Sequence, residues 1–180
     1  SLSIARELKY QFGVASALHS VGFQNMQIGR AEKGIEYLQQ SLLIYRELKE
    51  RQSEAETLYR LGFAHNMLSH YEKAIEHEEQ ALVIHRELKD RQGEANTLNG
   101  LASFNNRLSR YEKGIEHSQQ ALAICRELKF QAGESSALQN LGSAYSSLGR
   151  YEKAIEYMEQ SLAIARATKS RRAEAGLLNA

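Results

Sequence analysis

Apolar side chains return along this chain at helical intervals. From Glu134 onward, Leu138, Leu141, Tyr145 and Leu148 fall three or four residues apart, with Ala137 and Ala144 beside them. That spacing predicts an amphipathic helix. After Leu148-Gly149-Arg150 a second stripe begins with Tyr151, Ala154, Ile155, Met158 and Leu162. Gly149 suits the left-handed conformation that closes a helix. The stretch therefore reads as a hairpin of two helices.

The hairpin recurs with a period of 40 residues. The rows starting at Ser41, Ala81 and Ala121 share one skeleton, and the row from Ser1 is more diverged. First helices are predicted near 11–28, 52–68, 92–108, 132–148 and 172–180. Second helices are predicted near 1–9, 31–49, 71–89, 111–129 and 151–169. No hairpin buries its stripe alone, so neighbours must stack into a solenoid. The expected architecture is a single all-α domain, 1–180, of about 4.5 repeats. Its units are 11–50, 51–90, 91–130 and 131–170, with half units at 1–10 and 171–180. Leu2, Ile4, Leu177 and Leu178 belong to stripes without an outer neighbour, so the pattern reads as a segment of a longer array. Ends of this kind make self-association an alternative role.

Punctuation marks the helix starts. Ser69 with Glu72 and Ser109 with Glu112 have capping-box spacing, and Gly29 and Gly149 take the serine's place in the other rows. Asp90 is placed to cap the following first helix, where Gly93 loosens the join.

Composition narrows the function. The chain has no proline and abundant Ala, Leu, Glu, Lys, Gln and Arg, which favours helix throughout. Its net charge is +1, with no basic stripe, which argues against nucleic-acid and membrane partners. No run approaches the ~18 apolar residues of a membrane span. Arg6, Glu7 and Lys9 interrupt any signal-peptide core. The single cysteine, Cys125, forms no intrachain disulfide, and a cytoplasmic location is expected. Asp90 is the only aspartate, which disfavours calcium loops.

No catalytic, cofactor or metal constellation stands out, and the chain is expected not to be an enzyme. His77 and His117 share a repeat position with Tyr37 and Tyr157, which marks a packing slot. His65 and His70 lie off one helical face, which disfavours joint metal ligation. His85 shares a changing column with Cys125, Tyr45 and Ala5. Cys125 reads as a packed thiol. No phosphate-binding glycine loop occurs. The glutamates of the second helices read as solvated faces.

The repeat residues resemble those of the tetratricopeptide repeat. Leu141, Gly142, Ala144 and Tyr145 match its first-helix pattern, and Gly149, Tyr151 and Ala154 match its second. Gly22 and Gly62 keep the close-packing glycine, and Ala102 replaces it. The 40-residue unit is similar to that of LGN/Pins-like scaffolds and of bacterial multidomain signalling proteins. HEAT and armadillo repeats have a comparable period but lack these residues.

The resemblance implies a right-handed superhelix whose first helices line a concave groove for a protein or peptide partner. It places Ser16, His19, Ser20, Phe23 and Gln27 in the first row of that groove. Glu56, Tyr59, Arg60, Phe63, Asn66 and Met67 form the second. Asn96, Asn99, Gly100, Ser103, Asn106 and Arg107 form the third. Ser136, Gln139, Asn140, Ser143 and Ser147 form the fourth. These columns differ between rows while the packing columns hold. Apolar ligand groups are expected near Phe23, Tyr59, Phe63 and Met67, and acidic ones near Arg60 or Arg107. Of the column before the Leu-Gly pair, only Asn140 matches the asparagine that holds peptide backbone in the 40-residue members. A sensing or docking role within a larger signalling enzyme is the further alternative.

Overall fold

The computed structural model describes the backbone from residue 2 to 178 and the side chains from 6 to 169. Eight helices make up the described residues. They are α1 (Leu2–Gln27), α2 (Ala31–Glu47), α3 (Arg51–Met67), α4 (Tyr71–Glu87), α5 (Arg91–Arg107), α6 (Tyr111–Glu127), α7 (Gln131–Ser147) and α8 (Tyr151–Leu178). Each packs on the next, giving an all-α repeat solenoid. The side chains of Leu2, Ile4, Leu177 and Leu178 lie outside the described residues.

Three-residue turns separate the helices, and each turns on one left-handed residue. Gly29 and Gly149 hold φ of +77° and +70°, and Ser69 and Ser109 hold 58° in the same column. Gly29 N–H donates to Met26 O at 3.0 Å and Arg30 N–H to Asn25 O at 2.8 Å, a Schellman closure. Ser69 thus closes α3 rather than opening α4. His70 and Arg110 occupy the N-cap positions, without a side-chain cap. The expected capping boxes are therefore absent, because the serine column is one residue too early.

Between units the left-handed residue is Lys49, Lys89 or Lys129. That conformation costs about 1–2 kcal/mol for a residue with a Cβ. Packing of the following helix offsets it. At Lys9 and Lys169 the helix instead continues, so the breaks expected at 9–11 and 169–172 do not form.

Asp90 caps α5 as expected: its carboxylate accepts from Gly93 N–H at 2.9 Å. Gly93 does not loosen this join. A Cβ there would collide with His85 and Asp90 Oδ2, and His85 Nδ1 sits 3.0 Å from that oxygen. The changing column of His85 is interior: Tyr45, His85 and Cys125 are all buried.

Leu58, Leu61, Leu98, Leu101, Leu138 and Leu141 are fully buried on the first helices. In three hairpins the two helices cross at a pair of small residues, Gly22 with Gly34, Gly62 with Ala74 and Ala102 with Gly114, and in the fourth Gly142 packs against Met158. Every pair holds at least one glycine. A Cβ on Gly22 would stand 3.0 Å from Gly34 O, and one on Gly114 would stand 3.2 Å from Ala102 O.

Candidate functional site on the concave face

First helices of successive units touch one another, α1 with α3, α3 with α5 and α5 with α7. Second helices make no such contacts among the described residues. The stack is closer together on the first-helix side, so that side is concave. The first helices thus line the inner face.

At the α1–α3 junction the groove is filled by its own side chains. The Arg60 guanidinium lies over the Phe23 ring, 4.1 Å from its centroid, and pairs with Glu56 at 2.6 Å. His19 Nδ1 is 3.0 Å from Thr57 Oγ1. Thr57 gives its proton to Ser53 O at 2.7 Å, so His19 must carry its own proton on Nδ1. Burial, then the Arg60 charge, lowers the His19 pKa. The imidazole is therefore neutral in ordinary conditions. Gln27 is exposed at the rim.

Along α3, Phe63 is 51% and Met67 42% exposed, while Tyr59 and Asn66 are half-buried. Burial, then Glu78 and Glu56, raises the Tyr59 pKa. Glu56, Tyr59 and Asn96 also line a polar recess of about 240 Å³ beside His85 and Asp90.

At the α5–α7 junction the asparagines act within the protein. Asn99 Nδ2 donates to Gly133 O at 3.1 Å, Asn106 Nδ2 to Asn140 O at 3.0 Å, and Asn140 Nδ2 to Asn99 O at 3.0 Å. The donors tie two first helices together. Asn99 Oδ1 and Asn106 Oδ1 stay buried without a partner. Asn140, matched by resemblance to a backbone-holding asparagine, has its donor engaged here.

Asn106, Arg107, Gln139, Asn140 and Ser143 converge on one pocket of about 660 Å³. Arg107 has no acidic partner among the described residues. Met158, Ser161, Leu162 and Ala165 of α8 complete the wall. Sequence reasoning missed these four because they stand in packing columns. Leu42, Leu82 and Leu122, the counterparts of Leu162, are buried, whereas Leu162 is 47% exposed.

A second omission lies in α4. The glutamates there were expected on a solvated face, yet Glu78 is 1% exposed. Its column holds Leu38, Ser118 and Met158, so the slot is interior. The signal was present in the column.

Histidine packing follows the expected slot. His77 stacks on His65 with ring centroids 5.2 Å apart, and Tyr157 stacks on Tyr145 at 5.5 Å in the equivalent place. Burial first, then the charges of His77, Lys73 and His70, lowers the His65 pKa to about 4. The Cys125 thiol is buried and its pKa is raised to about 11, which leaves it unreactive as a nucleophile. Among the described residues no group of three His, Cys, Asp or Glu is placed to hold a metal ion. Nor is any helix there long and apolar enough to cross a membrane.

Stacked hairpins, glycine crossings and a concave face of row-specific side chains define a helical-repeat scaffold. The tetratricopeptide repeat family model matches residues 13–87 and 93–167, and the chain belongs to that family. The sequence has no match among the curated proteins. Several solved structures share the fold. BtubC (BKLC) from P. vanneervenii superimposes with a TM-score of 0.79 at 23% identity, over 86% of this chain and 64% of that one. A Rap protein complexed with competence and sporulation factor gives 0.77 at 23% identity, over 86% and 43%. A signal-transduction ATPase with numerous domains and a tetratricopeptide repeat sensor, from Pyrococcus horikoshii, gives 0.80 at 21% identity, over 90% and 25%. The chain thus spans less than two thirds of each of these proteins.

Proposed function

We propose that this chain is a non-catalytic interaction scaffold whose concave groove takes a segment of a protein partner. The observation that carries the reading is the contrast between columns. Most packing columns repeat in kind and are buried, the changing columns of Glu78 and His85 excepted, whereas the groove columns change from row to row. Phe63 and Met67 then stand exposed four residues apart on the inner face. Exposed aromatic and Met side chains beside polar groups are the composition of an interface centre. Apolar ligand groups dock on Phe63 and Met67, and an acidic group reaches Arg107. Arg60 is a weaker acid-binding candidate, because Glu56 already pairs with it.

A peptide selected by display against the intact chain and fitted with a photoreactive residue tests this reading. Cross-links are expected on α3, α5 and α7. Cross-links confined to α4 and α6 would reject the groove.

A specific observation favours self-association as a second reading. Tyr151, Ile155, Met158 and Leu162 form an apolar stripe along α8, between 42% and 65% exposed. A concentration series by light scattering is expected to show growth in mass if this stripe pairs. A constant monomer mass removes it. One neighbour's own description includes a tetratricopeptide repeat sensor. A sensing or docking role in a longer protein is compatible with the groove reading and rests on it.

A further inference from the structure

The α1–α3 and α3–α5 junctions are repeats of one another, and they differ at one informative position. Arg60 of α3 reaches back over Phe23 and closes the first junction. Forty residues on, Phe63 repeats Phe23, but Gly100 stands where Arg60 stood. Phe63 is therefore left uncovered.

Beneath that gap lies a carboxylic acid. A Cβ on Gly100 would stand 3.0 Å from Glu78 Oε1, so the carboxyl sits directly under the glycine of this groove column. The residue is 1% exposed and its Oε2 has no hydrogen-bond partner. Thr97 Oγ1 lies beside it, close enough to act on the carboxyl but outside good hydrogen-bond geometry. Burial, reinforced by Glu56, pushes Glu78 well above the usual carboxylate range, with the Thr97 hydroxyl opposing. An acid so placed has no cation to stabilise its charged form. In the equivalent slots the chain carries Leu38 and Met158, which need no partner.

We infer that the α3–α5 notch is a recognition site for a guanidinium group, an arginine side chain of the bound partner, stacked on Phe63 above Gly100 and paired with Glu78. This deepens the groove reading and rests on it. The molecule supplies half of the template itself: at the neighbouring junction Arg60 already stacks on the equivalent phenylalanine, with Glu56 of its own helix as the carboxylate partner. A guanidinium suits the notch because its flat face lies on an aromatic ring while its edge donates hydrogen bonds. As it enters, Glu78 releases its proton to solvent and the buried carboxylate gains its counter-charge. Glu56, on the α3 wall, adds a second negative charge near Glu78.

The test titrates N-acetyl-arginine amide and its neutral isostere, N-acetyl-citrulline amide, into isotope-labelled protein followed by NMR. Arginine is expected to shift the Gly100 amide and the Phe63 ring, with citrulline weaker by roughly tenfold. Glu78→Gln is expected to erase that preference with the fold intact. Gly100→Arg, which places the arginine in the chain, is expected to abolish binding. It is also expected to raise the melting temperature more in the Glu78 background than in the Glu78→Gln background. Equal response to both amides, or an arginine response unchanged by Glu78→Gln, overturns the inference. So does a Gly100→Arg stabilisation independent of Glu78. Display-selected peptides separate this failure from that of the groove. Peptides that need Phe63 and Met67 but carry no arginine overturn the guanidinium site alone. Peptides indifferent to Phe63→Ala and Met67→Ala bind elsewhere and overturn both.

Discussion

At Leu38 the repeat places an apolar side chain against Gly22, and at Glu78 it places a carboxylic acid against Gly62. The acid costs the fold stability. A carboxyl with a raised folded pKa binds its proton more tightly in the folded state. Stability therefore falls as pH rises above about 4.5, the ordinary glutamate value. Glu78→Leu, which copies Leu38, is expected to raise stability at neutral pH by about 1–3 kcal/mol, the cost of an unsatisfied buried polar group, with a smaller gain below pH about 4.5. Denaturant unfolding at two pH values checks both. His65 acts in the opposite sense. Its folded pKa near 4 lies below the ordinary 6.5, so the unfolded chain binds the proton more readily. Stability is lost as pH falls from about 6.5 to about 4. His65→Tyr with His77→Tyr, which copies the Tyr145–Tyr157 stack, is expected to flatten that limb. Melting curves of variant and parent across the window give the comparison. An unchanged slope would place the acid sensitivity elsewhere.

The helices themselves were legible because every packing column is present in several rows. Which residue closes a helix was less so. Ser69-x-x-Glu72 has the spacing of an N-terminal cap, and only the backbone shows Ser69 at φ 58°. Gly29 and Gly149 in the same column already pointed to a left-handed site. The breaks expected after Lys9 and Lys169 rest on the lysine shared with the turns at Lys49, Lys89 and Lys129, but the helix runs on through both, and in Thr168-Lys169-Ser170 the preceding leucine is absent. The crossing glycines form a pairwise rule. Gly62→Ala brings a Cβ to 3.2 Å from Ala74 O and against Glu78 Cγ at 2.9 Å. It is expected to destabilise by about 1–3 kcal/mol. Adding Ala74→Gly should recover part of the loss, because the carbonyl gains room to shift. A double-mutant cycle measures the coupling, and strict additivity would refute the rule.

Across the whole molecule, constant columns build most of the stack and the groove columns change by row, while the Glu78 and His85 columns change and are nevertheless buried. Arg46, Arg86 and Arg126 each reach from a second helix to a glutamate of the next unit, Glu54, Glu94 and Glu134, at 2.8–2.9 Å. These exposed arginines add little energy individually but repeat the same join. The groove columns were legible as positions and not as chemistry. Asn99, Asn106 and Asn140 were expected to face a ligand, and their donors join α5 to α7 instead. Column position says where a side chain starts, and neighbours decide where its polar atoms go. Phe63, Met67 and Arg107 keep the exposure that docking requires. Calorimetry of a display-selected peptide tests the scaffold account most directly. The comparison is between the parent chain, Phe63→Ala with Arg60→Ala on the inner face, and Leu43→Ala with Val83→Ala on the second helices. The account predicts a loss of roughly tenfold or more for the inner pair and none for the second-helix pair. Unchanged affinity in the inner pair, with loss in the second-helix pair, would contradict it.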